Sequence, residues 1–153
     1  MEKNYYKAYA NATQTLAKTR QIVLLYDGLI RFVQQAKTAI ENKRIEERFN
    51  LLIKASEVIS GLQACLDFEK GGEVAKILYS FYASIDSRIY SIHRTNSLET
   101  CDEVIAELRQ MREAWAEIDQ NSSAQEAAAA APAAPTPAAA GQSPAEQHIT
   151  FSA

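Results

Sequence analysis

The sequence predicts an all-α protein, an antiparallel up-down four-helix bundle with a short N-terminal helical segment and a disordered C-terminal tail. Three observations carry this. Helical periodicity covers nearly everything to residue 120, strand patterns are almost absent, and four amphipathic stretches are joined by short connections. At 153 residues one domain is expected. The expected boundaries are a mobile N-terminal segment at 1–15, the bundle at 16–120 and an Ala/Pro-rich tail at 121–153.

Met1 to Thr15 is rich in alanine and tyrosine, with Tyr5, Tyr6 and Tyr9. A helix this short is marginal unless it docks. The next helix starts near Thr15 to Thr19, where either threonine can cap it, and runs to about Asn42. Its stretch Gln21 to Glu41 carries two apolar stripes. One is Ile22, Leu25, Leu29, Phe32, Ala36 and Ile40; the other is Val23, Tyr26, Ile30 and Val33. Together they exceed the arc of roughly 100° that a one-sided surface helix needs. Asp27 and Gly28, poor helix formers, interrupt the middle, and Arg31 is the expected ion-pair partner of Asp27.

Ile45 to Glu69 forms the following helix, with a core stripe of Leu52, Ala55, Ile59, Leu62 and Leu66 flanked by Phe49, Ile53 and Val58. Gly71 and Gly72 break the pattern, and Glu73 begins the next helix with its carboxylate at the positive end of the dipole. Val74, Leu78, Phe81, Ile85, Ile89 and Ile92 are its apolar positions. The last helix has two candidate capping boxes, Asn96 with Glu99 and Thr100 with Glu103. Its stripe is Ile105, Leu108, Met111, Trp115 and Ile118. After Gln120, alanine, proline, serine and glutamine dominate, and Pro132, Pro135, Pro137 and Pro144 forbid a continuous helix. The alternative to a disordered tail is one ending in a short docking peptide at His148 to Phe151.

Charge and composition narrow the function. The chain has 16 basic and 19 acidic side chains, a formal charge of −3, and Glu126 and Glu146 are the only charges after residue 120. The body is nearly neutral, which argues against nucleic acid or an anionic membrane as partner. No signal peptide or spanning run is evident, and Cys65 and Cys101 read as buried small hydrophobes in a reducing compartment, so a cytoplasmic protein is expected.

Catalytic chemistry lacks its parts. A carboxylate-bridged di-metal site needs Glu-x-x-His on two helices, yet the body has one histidine, His93, with Tyr90 three residues before it. No haem attachment, phosphate-cradling loop or nucleophile elbow is present. The expectation is a non-enzyme with no metal, no cofactor and no small-molecule substrate. Two alternatives are a phosphotransfer bundle using His93, and a structural adaptor that assembles through its helix faces. Asp27 has no His, Cys or Ser beside it on its face. Seven tyrosines, with apolar bodies and wet tips, suit an interface.

Four stretches in order and spacing resemble the flagellin export chaperones of the FliS family. They are Leu25-Tyr26-Asp27-Gly28-Leu29-Ile30-Arg31-Phe32 with Ala36 and Ala39-Ile40-Glu41; Ile53-Lys54-Ala55 leading to Leu66-Asp67-Phe68-Glu69; Gly71-Gly72-Glu73-Val74-Ala75 with Leu78 and Tyr82; and Arg112-Glu113-Ala114-Trp115. The resemblance covers about residues 4 to 118. The chain departs from the family ahead of the second segment, where a Val-x-Thr-Ala-Ser-Pro pattern is common. Only Thr15 matches, and Lys18 stands at the proline position. Without that proline the first two segments can join smoothly.

The resemblance implies a cytosolic bundle that binds the disordered C-terminal segment of flagellin, blocks premature polymerisation and delivers the subunit to the flagellar export gate. It also implies an N-terminal segment that covers the apolar surface until the client arrives. Tyr9 is then the expected cover, and Ile22, Tyr26, Leu29, Ile30 and Val33 the expected groove floor and rim. On that reading Ile30→Asp harms client binding more than folding. Release needs no ATP, consistent with the missing nucleotide motif.

Overall fold

The computed structural model describes residues 2–130, and the side chains from residue 18 onward. Four helices follow one another: α1 (Glu2–Glu41), α2 (Ile45–Ala64), α3 (Phe68–Thr95) and α4 (Leu98–Ala130), with no strand among the described residues. Neighbours in the ring are α1 with α2, α2 with α3, α3 with α4 and α4 with α1. This is the predicted up-down bundle. The tail after Ala130, its docking peptide at His148 to Phe151, and Tyr9 as a side chain lie outside the described residues.

Each boundary has a local cause. The backbone of α1 runs unbroken from Glu2 to Glu41; with Lys18 where proline was expected, nothing in the sequence stops it. Helix α2 ends at Ala64, five residues before the predicted Glu69. Asp67 then caps α3, its Oδ1 accepting from the backbone N–H groups of Glu69 and Lys70, each at 3.0 Å. The predicted break at Gly71-Gly72 is present as a kink inside α3. Gly72 sits at φ 50°, ψ −126°, a conformation that side chains with a Cβ avoid.

The turn into α4 differs from both predicted capping boxes. Asn96 adopts left-handed φ 53° and ends α3, its N–H bonding Ile92 O at 2.9 Å. Ser97 takes the capping role, its Oγ accepting from Thr100 N at 3.1 Å. At its other end α4 passes the predicted boundary of 120 and continues to Ala130. Alanine, the best helix former, fills most of Ala124 to Ala130.

Both stripes of α1 are absorbed except at Leu25, which is exposed. Val23, Tyr26, Leu29, Ile30, Val33, Ala36 and Ala39 are buried, and Ile22, Phe32 and Ile40 pack partly buried at their edge. Leu52, Ala55, Ile59 and Leu62 face them from α2, Tyr82, Ile85, Ile89 and Ile92 from α3, and Cys101, Val104, Ile105 and Leu108 from α4. Cys101 is interior as expected, whereas Cys65, in the loop between α2 and α3, is exposed. Val74 and Ile118, read from periodicity as core, are exposed because they fall where the four-helix layer opens.

One cation enters the core. Arg48 is buried near the start of α2, and its Nη1 donates to Asn96 Oδ1. The bond ties α2 to the left-handed residue that ends α3. Asn96→Ala removes that acceptor and places a Cβ-bearing residue without local hydrogen bonding in the left-handed region. It should cost about 2–4 kcal/mol in denaturant unfolding. Asn96→Gly, which relieves the backbone but not Arg48, should cost less than the alanine variant.

Candidate functional site: an apolar groove at the α2–α3 corner

Where α2 ends and α3 begins, the bundle does not close. Leu62, Leu66, Val74 and Leu78, with Ile22 of α1 and Trp115 of α4, line an open groove of about 300 Å³. Asp67 and Lys70 stand at its mouth, Ala75 and Gly71 shape one wall, and Tyr82 reaches it from the core. A Cβ on Gly71 would come within 2.8 Å of the Ala75 Cβ, so the glycine permits the close pass of the α3 start. Beside the groove Phe68 and Tyr79 meet edge to face, ring centroids 6.0 Å apart, and both stay half exposed with Ile77.

A polar chain fixes the groove floor. Tyr26 Oη, fully buried, donates to Tyr82 Oη at 3.0 Å across the diagonal of the bundle. Trp115 of α4 lines the same groove as Tyr82. Burial, then the bond to Tyr82, pushes the Tyr26 phenol far above its ordinary range; burial also raises Tyr82. Both therefore act as neutral hydrogen-bonding groups, not as acids or bases.

The predicted site residues divide sharply. Ile22 lines the groove, while Tyr26, Leu29, Ile30 and Val33 lie in the core, three of them with no exposed surface and Ile30 with 8%. In the closed bundle their neighbours are this chain's own helices. Periodicity identifies both stripes as buried but does not say against what. Leu66, Val74, Leu78 and Trp115 complete the groove; the sequence signals available for them were the Leu66-Asp67 helix stop and the Gly71-Gly72 break.

Asp27 pairs with Arg112 rather than with Arg31. Arg112 Nε donates to Oδ1 at 2.8 Å and Nη2 to Oδ2 at 3.3 Å. The paired carboxylate raises the Arg112 guanidinium further. This two-pronged contact joins α1 to α4 next to the groove. Half-exposed pairs of this kind contribute about 0.2–1 kcal/mol, so the contact chiefly sets register.

His93, near the end of α3, is half-buried and meets Phe49 edge to face at 5.3 Å. Burial first, and the Arg48 charge second, lower its pKa. On the same side Ile45, Phe49 and Ile53 of α2 form an exposed apolar stripe, and Tyr90 is also exposed. Among the described residues no group of three His, Cys, Asp or Glu side chains could hold a metal ion. No described helix is long and apolar enough to cross a membrane.

Two predictions follow from these placements. Ile30→Asp inserts an unpaired carboxylate among core side chains and should cost about 3 kcal/mol or more, read as a loss of thermal stability before any binding is measured. For His93 the folded state holds fewer protons than the unfolded state near pH 6. Stability should therefore fall on acidification from about pH 6.5 downward, through the lowered folded pKa. His93→Gln should flatten that slope in urea titrations at pH 5 to 7.

Known proteins are similar to this chain in sequence. A family model described as Flagellar protein FliS matches residues 1–122. A flagellar secretion chaperone FliS of Campylobacter jejuni is 32% identical over 76% of this chain and 91% of its own length. One of Salmonella typhimurium is 32% identical over 78% of this chain and 93% of its own. The flagellar secretion chaperone FliSB of Pseudomonas aeruginosa is 35% identical over 63% and 76%. The chain belongs to the FliS family of flagellar proteins.

Proposed function

We propose that this protein is a cytosolic flagellar secretion chaperone. It binds the disordered C-terminal region of flagellin, keeps it from polymerising early and hands it to the export apparatus. The observation that carries the reading is the open apolar groove of Ile22, Leu62, Leu66, Val74, Leu78 and Trp115 on a chain of this family. The names of the relatives, flagellar secretion chaperones, support the same role.

The groove suits a helical or helix-forming client. An amphipathic segment lays its apolar side chains, three or four residues apart, into such a cleft between helices. Each aliphatic side chain fully buried contributes about 1.5–3 kcal/mol, against about 2–5 kcal/mol or more for ordering the client. The balance permits tight but reversible capture without a nucleotide cycle. A binding role also fits the site chemistry, since burial raises the Tyr82 phenol and most of the remaining lining side chains are apolar.

Ile22 remains in the proposed contact set, joined by Leu66, Val74, Leu78 and Trp115. Tyr26, Leu29, Ile30 and Val33 support that surface from beneath. Val74 is the most informative position, because it lines the groove yet is 63% exposed. Val74→Asp should leave the circular dichroism spectrum and melting temperature nearly unchanged. It should weaken binding of a flagellin C-terminal peptide about tenfold or more in calorimetry, a loss of about 1.4 kcal/mol. Unchanged affinity in the folded variant would remove the groove from the proposal.

A further inference from the structure

The groove has a candidate occupant within the chain itself. We propose that Ile149 and Phe151 of the C-terminal segment dock into the groove of Ile22, Leu66, Val74, Leu78 and Trp115, as an intramolecular plug that a client must displace.

Composition singles these two residues out. Residues 131–153 are alanine, proline and small or polar residues apart from Ile149 and Phe151, the only large apolar side chains there. They are two apart, so an extended peptide presents both on one side, with Thr150 turned away. Two adjoining apolar side chains match a groove of about 300 Å³ lined mainly by aliphatic groups. Charge does not oppose this approach: Glu146, the one charged residue of the segment, precedes Ile149 by three positions, and the groove mouth holds Lys70 beside Asp67, whose Oδ1 caps α3.

The lengths also agree. Helix α4 continues fifteen residues past Trp115 to Ala130, so its end lies about 22 Å beyond the groove. Eighteen residues lie between Ala130 and Ile149. A linker of that length has a root-mean-square span of about 25 Å and a limit of about 60 Å. The span needed is close to the span at which effective concentration is greatest, in the millimolar range. Contacts too weak to hold a free peptide therefore suffice when the peptide is tethered. A second copy of the chain meets no such concentration in dilute solution.

Trp115, the single tryptophan, lines the groove and reports on it directly. The full chain is compared with the Ile149→Ser/Phe151→Ser variant and with a chain ending at Ala130. Docking predicts that both altered chains show red-shifted emission, with acrylamide quenching constants raised about twofold, as for a plug held at millimolar effective concentration. Adding a synthetic peptide of residues 144–153 at millimolar concentration to the shortened chain should reverse the shift. Identical emission and quenching in all three chains would overturn the proposal. So would a difference that disappears on dilution, which assigns the tail to a second copy.

The client is absent from that experiment, so its outcome is independent of the proposed function. Displacement by a client does rest on that reading. It predicts that the shortened chain binds the flagellin peptide about twofold or more tighter, since the plug no longer competes. A positive tryptophan result with unchanged peptide affinity would overturn the displacement step and move the client site elsewhere, leaving the docking itself intact.

Discussion

The hydrogen bond between Tyr26 and Tyr82 is the point on which the bundle turns. It spans the diagonal, joining α1 to α3, which are not ring neighbours. Two phenols buried at this depth must satisfy each other, because an unpaired hydroxyl in such a place costs about 1–3 kcal/mol. The pair therefore fixes the rotation of both helices about their axes. Once Tyr26 faces inward, Leu29, Val33 and Ala36 must follow on the same side, and Ile22, Phe32 and Ile40 pack at the edge. Tyr82 and Trp115 of α4 line the same groove, so the pair's placement reaches the groove wall.

Charge holds the register that the phenols require. Lys37 pairs with Asp102, Asp27 with Arg112 and Arg20 with Asp119. Steps of ten and then seven residues along α1 are met by the same steps along α4, as two antiparallel helices demand. Arg88 and Glu107 join α3 to α4 in the same manner, the carboxylate held below its usual range by the guanidinium. None of these partly exposed pairs stabilises the fold greatly; a shift by one turn would separate all of them together.

The groove arises from a mismatch in helix length. Helices α1 and α4 continue past the level at which α2 stops at Ala64 and α3 starts at Phe68. The Asp67 cap and the Gly72 kink turn the chain sharply there, leaving Leu66, Val74 and Leu78 without a fourth wall. Apolar surface placed at an open corner is left without a partner from the bundle's own helices. This is why the same region carries the proposed client site and the proposed plug.

Much of this was legible in the residues. Period-3.6 stripes located all four helices, and the inward sets of α2 (Leu52, Ala55, Ile59, Leu62) and α3 (Ile85, Ile89, Ile92) coincide with the core. The family resemblance, carried by four stretches in order, agrees with the family match. Helix ends were read less well, since Asn96, Ser97 and Asp67 are each plausible caps and only the folded turn selects among them. Tertiary structure alone decided who meets whom. Asp27 pairs with Arg112 of α4, which reaches it with two guanidinium N–H groups. The double stripe of α1, legible as an excess of apolar surface, proved to be mostly this chain's own core. What stays open lies one layer away, at the α2–α3 corner, because exposure depends on where the neighbouring helices end, a property that no single helix encodes.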